Sequence, residues 1–486
     1  MRVVFFLLVV CLLVGCTSDP SATASLTGTI SILGTDDYSG VTVALYAPAY
    51  LDTTLVRINQ EYPHIGVIIN QETEFDHRLQ SPVTYTQTDV TGNYQLNNIK
   101  PDKYNLALLK EGVSLKYIYD IILAEGENVQ QRIELNPSID MSTPITEPIT
   151  FKSGVQYNFK HNTQILSPVI IEAGAILSID KEKKVEFYDD VNTSETGSRW
   201  HLTTSSYLNE LSITKPDSTD YFNSLIIKKH NNNQVVLQNG NVSFVSAGIN
   251  IEPDNAVYSN IRAKNGFTHL YVSSENHHFA NNLVTDFRQR VHAFYGSSII
   301  EKNIFYKNLE NMLLSENEAL VQNNYFIDNL VAMRPFYGDI HISHNDFENN
   351  SYCVSTVASD PLIEYNDFFG SKQYCIQTHK YYTQAAYDFS KPLISNNNFF
   401  GNNVSISLIA KSNIYSQGYN YYSLNGLGVR SDILATNNYY KHLPIDDRIV
   451  DHNDFPNEPY DSPNYCPYNV IFEPYSARVV VNAGIQ

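Results

Sequence analysis

Between Asn282 and Asn366 the pattern of apolar and polar positions repeats every 21 residues, with Asn282, Asn303, Asn324, Asn345 and Asn366 marking five units. Three residues before each Asn stands an apolar side chain: Phe279, Ile300, Val321, Ile342 and Ile363. Two residues after it stands another, usually Phe (Phe305, Phe326, Phe347, Phe368). Five residues after it a small polar residue recurs, as in Asn308, Asn329, Asn350 and Ser371. The same grammar reaches back to Asn260, with Val257 before it and Asn265 after it. Apolar positions separated by an outlying polar one mark short strands with one face inward, and Asn tolerates the left-handed backbone needed to turn between them. A fixed period near twenty residues predicts a chain that coils so that every turn stacks on the last. Equivalent residues then lie about 4.8 Å apart. The Asn amides should bond from coil to coil and the Phe rings should stack inside, as scaffold rather than active site.

After Asn366 the period is disturbed. The next unit, Asn397-Asn398-Phe399, begins 31 residues on, followed by Asn420-Tyr421-Tyr422 and Asn437-Asn438-Tyr439. The ten extra residues fall within 377–388 and should bulge from one flank, where solenoid insertions often carry binding. From about Ile145 to Asn438 these Asn-x-Phe coils resemble the right-handed parallel β-helix repeat family. Its members include polysaccharide lyases, hydrolases, epimerases and non-enzymatic surface proteins, so the resemblance implies a fold rather than an activity. The expected solenoid domain is residues 145–443. Residues 444–486 are proline-rich and lose the repeat; they are expected to cap the open end. Within them Asp451-His452-Asn453-Asp454 reads as turn chemistry.

At the other end, Met1-Arg2, the apolar run from Val3 to Val14 and then Gly15-Cys16 make an export signal too short for an ordinary spanning helix. Leu13-Val14-Gly15-Cys16 resembles a bacterial lipoprotein signal, which implies removal of the leader over residues 1–16 and lipidation of Cys16. The chain is then expected outside the cytoplasm, tethered to the cell envelope by acyl chains. Thr17 following Cys16 resembles sorting onward to an outer membrane. Residues 17–25 form a small polar linker. In residues 26–137, alternating runs such as Thr27 to Ile32 and Val41 to Tyr46 predict half-buried strands of a small sandwich. Gly28, the strand Gly40 to Val43, Thr88 to Tyr94 and Ile99 to Tyr104 resemble the carboxypeptidase regulatory-like domain, a transthyretin-like sandwich that usually serves as a non-catalytic spacer. Pro101-Asp102 stands where that family has Pro-Gly, and the segment from Ala47 to Thr84 is longer than its pattern. No His is followed three residues later by Glu, so the zinc pair of a metallopeptidase is missing. The fold class is therefore all-β: a right-handed parallel β-helix preceded by a small β-sandwich.

The chain has 486 residues and a formal net charge of −19. Such an acidic chain does not fit nucleic acid, and it would need calcium or a local basic patch to attract a polyanionic glycan. Beyond the signal, Cys353, Cys375 and Cys466 remain. Tyr352-Cys353-Val354 and Tyr374-Cys375-Ile376 are near-copies on adjacent coils. Either a disulfide or two stacked buried thiols would suit that spacing.

Counting from each Asn groups the residues that could carry chemistry. Tyr295, Glu316, Tyr337 and His379 all lie thirteen after theirs, and His292 and Arg334 lie ten after theirs. Glu316, His379, Arg334 and His292 are the candidates for catalysis, the set a polysaccharide lyase or glycoside hydrolase would need. Only one of them is a carboxylate, and neither the paired-Asp pattern nor the Asp and Arg clusters of enzymatic β-helices can be matched. Tyr381, Tyr382 and Tyr387 of the inserted loop, with Tyr295 and Tyr337, are the candidates for holding sugar rings. The preferred expectation is a lipid-anchored, non-catalytic surface protein that binds carbohydrate or another extracellular partner; the alternative is a lyase or hydrolase on the same flank. No metal or cofactor is expected, calcium entering only with a lyase.

Overall fold

The computed structural model describes residues 23–211 and 219–486, apart from 269, 274, 380, 383–386, 389, 403, 408–431, 442–448 and 451–468. Cys16 and Cys466 lie outside them. From Ile139 onward, short strands assemble into three parallel sheets of 13, 12 and 11 strands, each strand pairing with its equivalent one coil away. The result is a β-solenoid of about eleven turns. Through its regular part the register advances one repeat per coil, as in Leu283, Ile304, Tyr325, Asp346 and Asp367.

Two internal ladders hold the coils in register. From Asn282 to Asn397, each ladder Asn donates Nδ2 to the Oδ1 of the next at 2.9–3.0 Å, ending on Asn438. The second Nδ2 hydrogen goes to a backbone carbonyl, as from Asn324 to Ile300 at 2.9 Å. No amide hydrogen of Asn324 is thus wasted in the dry interior. Beside this ladder Phe305, Phe326, Phe347 and Phe368 stack at 4.9 Å, and Phe399 and Tyr440 continue at 5.0 Å.

The turns are made by other residues than expected. Left-handed φ belongs to the residue before each ladder Asn: Asn281 at 55°, Lys302 at 56°, Asn323 at 55°, His344 at 56° and Tyr365 at 55°. The ladder Asn has to aim its amide inward, so its neighbour makes the corner. In the earliest unit this moves the reading by one residue. Asn260 (φ 52°) is the turn residue, and Ile261 takes the ladder position, its N–H donating to Asn282 Oδ1 at 2.9 Å. Tyr258, not Val257, pairs with Phe279.

The N-terminal unit is a three-stranded sheet (Asn93–Ile99, Ala24–Ile32, Asn128–Leu135) facing a four-stranded one (Thr84–Gln87, Thr42–Tyr46, Asp102–Leu109, Lys116–Leu123). Leu26, Ile30, Val43, Leu96, Leu106 and Ile133 fill the space between them. This unit does not raise the solenoid like a stalk. It lies along the outer face of the 13-stranded sheet, where Phe75, Leu109 and Leu115 pack with Ile176 and Leu208.

The long segment between the strands Thr42–Tyr46 and Thr84–Gln87 extends that cover. Its helix Thr53–Glu61 is N-capped by Asp52 and buries Leu55 and Ile58, which with Ile65, Val67 and Ile69 pack on Leu283, Ile304, Tyr325 and Ile327. Gly66 (φ +66°) touches Ile304 so closely that a Cβ would stand 2.6 Å from its Cδ1.

The described end of the chain lies against the solenoid. Val470–Ile471 pairs with Ile433–Leu434, and the following segment then runs back along the 13-stranded sheet. There Val480 N–H donates to Asn398 Oδ1 (2.8 Å), Gly484 N–H to the Tyr365 carbonyl (2.9 Å) and Gln486 N–H to Asn323 Oδ1 (3.0 Å).

Candidate functional site

The flank singled out in the sequence is the 12-stranded sheet, and its register separates the candidates. Arg290 pairs with Glu310, 20 residues on, whereas Glu310 pairs with Val331, 21 on, and Tyr352 with Tyr374, 22 on. Counting from Asn assumes one constant step. In a strand, a slip of one residue exchanges the two faces. Tyr295 is therefore in register with Ser315, Ser315 with Phe336, Phe336 with Val357, and Val357 with His379. Glu316 and Tyr337 stand one position further along. The expected single column is two columns.

His292 and Arg334 also part. His292 is in register with Leu270 and Met312, both buried, while Arg334 is in register with Leu313. The Arg334 side chain is buried, with Nε 3.4 Å from Oε1 of the equally buried Glu310. Cys353 and Cys375 stand on adjacent strands as free, buried thiols, and burial pushes the Cys375 thiol far above its ordinary value.

The inserted segment carries a strand pairing of its own. Tyr381–Tyr382 pairs antiparallel with Tyr387–Asp388 in a small hairpin. It emerges between the strand Tyr374–His379 of the 12-stranded sheet and Leu393–Ser395 of the 11-stranded sheet. The loop tyrosines thus belong to the corner shared by those two sheets.

A dense set of buried charges lies where the N-terminal unit meets the solenoid, and sequence reasoning missed it. Arg262 donates Nε and Nη2 to Glu74 at 2.7 and 3.0 Å, and Lys264 donates Nζ to the carbonyls of Thr73 and Glu74 at 2.8 and 3.0 Å. Burial alone would raise the Glu74 carboxyl, but Arg262 and Lys264 overcome it and hold it at about 2. Arg78 grips Asp76 through two bonds, reaches Thr203 Oγ1 at 3.0 Å, and lies 4.6 Å above the Phe244 ring. Burial lowers His77 and His201 to about 4, so both imidazoles are neutral near pH 7. The cavity among Asp76, Arg78, His201, Thr203, Ser243 and Lys264 holds about 40 Å³. Ligand pockets are usually several hundred Å³. This network fastens two units together and has no room for a sugar.

No protein-family model matches the chain, and no curated protein sequence matches it. Among solved structures, the minor pilin GBS52 of the Gram-positive pathogen Streptococcus agalactiae matches at 15% identity and a TM-score of 0.15, over 24% of this chain and 45% of that one. The match spans less than half of the pilin.

With the 13-stranded sheet covered, the 11-stranded sheet offers an open, repetitive face. One outward column runs Val236, Val257, His278, Ile299, Leu320, His341, Leu362 and Leu393. Ile299 is 44% exposed and Leu393 45%, and the others are partly exposed. Two residues further along lies a mostly polar column, in which Glu301, Gln322 and Glu364 are half-buried, Ser343 is buried and Ala280 interrupts. The columns are tied diagonally by the same pair used twice, His278 Nε2 to Glu301 Oε1 and His341 Nε2 to Glu364 Oε1, each 3.0 Å. Burial opposes ionisation of Glu301, but bonds from Gln322 and His278 hold its carboxyl below the usual range. The signal for this face was present in the sequence one residue from the positions read as core.

Proposed function

We propose that this is a lipid-anchored cell-envelope protein that acts by binding a linear, repetitive extracellular polymer, a neutral polysaccharide, along the outer face of its 11-stranded sheet. The observation that carries the reading is the face's own periodicity. Catalysis needs one unlike constellation at one place, whereas here a largely aliphatic column, interrupted by His278 and His341, runs beside a mostly polar one over successive coils. Apolar strips suit the C–H faces of sugar rings, and the polar column suits their hydroxyls. Many weak equivalent contacts on a polymer add through effective concentration. Glu301, Glu364 and the net charge of −19 disfavour a polyuronate. The hairpin carrying Tyr381, Tyr382 and Tyr387 would form one rim of the face, and the N-terminal unit would serve as a non-catalytic spacer.

The test is retention of the purified protein in gels containing neutral polysaccharides, compared with polyuronates. Ile299→Asp with Leu320→Asp should abolish retention, and Tyr381→Ala with Tyr382→Ala should weaken it. Release of unsaturated or reducing-end products, lost with Glu316→Gln or His379→Ala, would instead establish an enzyme. The anchor is checked separately: Cys16→Ser should move the protein from the membrane to the soluble fraction and end incorporation of a labelled fatty acid.

A further inference from the structure

The outward column of the 13-stranded sheet runs through Arg262, Leu283, Ile304 and Tyr325, and on the next two coils it holds Asp346 and Asp367, directly in register. Both are held under other parts of the chain. Tyr62 of the N-terminal segment donates its hydroxyl to Asp346 Oδ2 at 3.0 Å, and Ile485 N–H donates to Asp346 Oδ1 at 3.3 Å. Asn398 Nδ2 donates to Asp367 Oδ1 at 2.7 Å. Gly484, at φ +79°, sits directly over the pair. A Cβ there would stand 2.7 Å from Asp346 Oδ1 and 2.7 Å from Asp367 Oδ2, so these two oxygens are no more than twice that distance apart.

Among the described residues no cation comes within ion-pair distance of either carboxyl. Arg57, on the helix that leads into Tyr62, is engaged by Glu61 and Glu348. His64 reaches the Gln486 carbonyl instead, at 3.4 Å. Of the other ionisable neighbours, Glu348 on the sheet and Glu61 on the helix are themselves acidic, Tyr325 is bonded to Glu348, and at the corner crossed by Gly484 and Gln486 the His344 ring stacks on Tyr365 at 5.4 Å. Two carboxyls this close, one buried and one half-buried, and without a counter-charge, cannot both ionise cheaply.

We propose that Asp346 and Asp367 form a proton-dependent clasp that holds the segment 476–486 against the solenoid in acid and loosens it as the pH rises to neutrality. Burial, then the neighbouring Asp367, raises Asp346 to about 7, and burial raises Asp367 to about 6. As a coupled pair they titrate together rather than singly. The sign follows from linkage. Once the segment lifts, both carboxyls return towards the ordinary value near 4. Between about pH 4 and pH 7 the closed form therefore holds more protons than the open one. The clasp is tightest at the acid end of that window and weakens as pH rises through it.

The test is amide hydrogen exchange across 476–486 in the full chain, corrected for intrinsic rates, at about pH 5 and about pH 8. Protection should fall at least tenfold at the higher pH. Asp346→Asn with Asp367→Asn should give equal protection at both pH values. Asn398 already occupies this column one coil on, so an amide has a precedent there, and Asp367→Asn alone, which should roughly halve the logarithmic drop, serves if the double variant does not fold. Gly484→Ala should leave the segment unprotected at both pH values while the Asn ladder amides keep their protection. Unchanged protection in the unaltered chain, or the full drop persisting in either Asn variant, would overturn the proposal.

Discussion

At the scale of single residues, neighbouring positions in one corner carry opposite demands. Asn303 bonds the coils on either side of it, its Nδ2 reaching Asn324 Oδ1 at 2.9 Å while its Oδ1 accepts from Asn282 N–H and Nδ2 at 2.9 Å. Asn303→Ala would strand several buried donors and acceptors, each costing roughly 1–3 kcal/mol. A loss of about 3 kcal/mol in urea unfolding is expected. Lys302, one residue earlier, sits at φ 56°. Lys302→Gly removes a Cβ from a left-handed conformation while adding chain entropy, so the net change should stay within about 1 kcal/mol of zero. The recurrence of Asn, and the ladder it forms, were legible in the sequence. Which Asn turns and which one bonds was not, because both jobs favour the same residue type: Asn260 was taken for a ladder residue and is a corner.

At the scale of elements, the segment between Tyr46 and Thr84 lacks periodicity, so nothing in its sequence pointed to the solenoid. Its partners are far away in the chain: Glu74 meets Arg262, 188 residues on. Arg262→Met would leave the Glu74 charge buried with only Lys264 near it, a change that typically costs roughly 3–5 kcal/mol. The segment should then become open to limited proteolysis around Thr53–Glu61 while the sheets stay folded. Glu74→Gln in the same chain should recover part of the protection. The pair also predicts a pH response opposite to that of the Asp clasp. Glu74 is held at about 2, below its ordinary value of 4.5, so its contribution is present above about pH 4.5 and lost as pH falls towards 2. The difference in stability between the unaltered chain and Arg262→Met should shrink across that interval by about 3 kcal/mol.

At the scale of the whole molecule, the three sheets have different fates. One is covered by the N-terminal unit and the returning end of the chain, one carries the predicted flank, and one presents a repeating, partly exposed face. The sequence pattern supplied the coil and its contents but treated every coil as equivalent on all sides. Covering is decided by long-range docking, and register by single-residue slips such as the 20-residue step between Arg290 and Glu310. That is why the column from Tyr295 to His379 dissolved while the Asn and Phe ladders stood. If the open face binds a polymer, affinity should depend on how many of its rungs are engaged. The column from Val236 to Leu393 crosses eight strands, about 34 Å at the usual strand spacing. Oligomers of the retained polysaccharide should gain affinity steeply with each added unit until they span that length, and only slowly beyond it, because further units meet no new rungs. Leu362→Asp, near one end, should shorten the length at which the gain levels off without abolishing binding, whereas Ile299→Asp, near the middle, should divide the face and lower affinity for every oligomer that spans it. Titration calorimetry over a length series of one polysaccharide distinguishes this from a single pocket, for which affinity would level off after a few units and respond to one substitution alone.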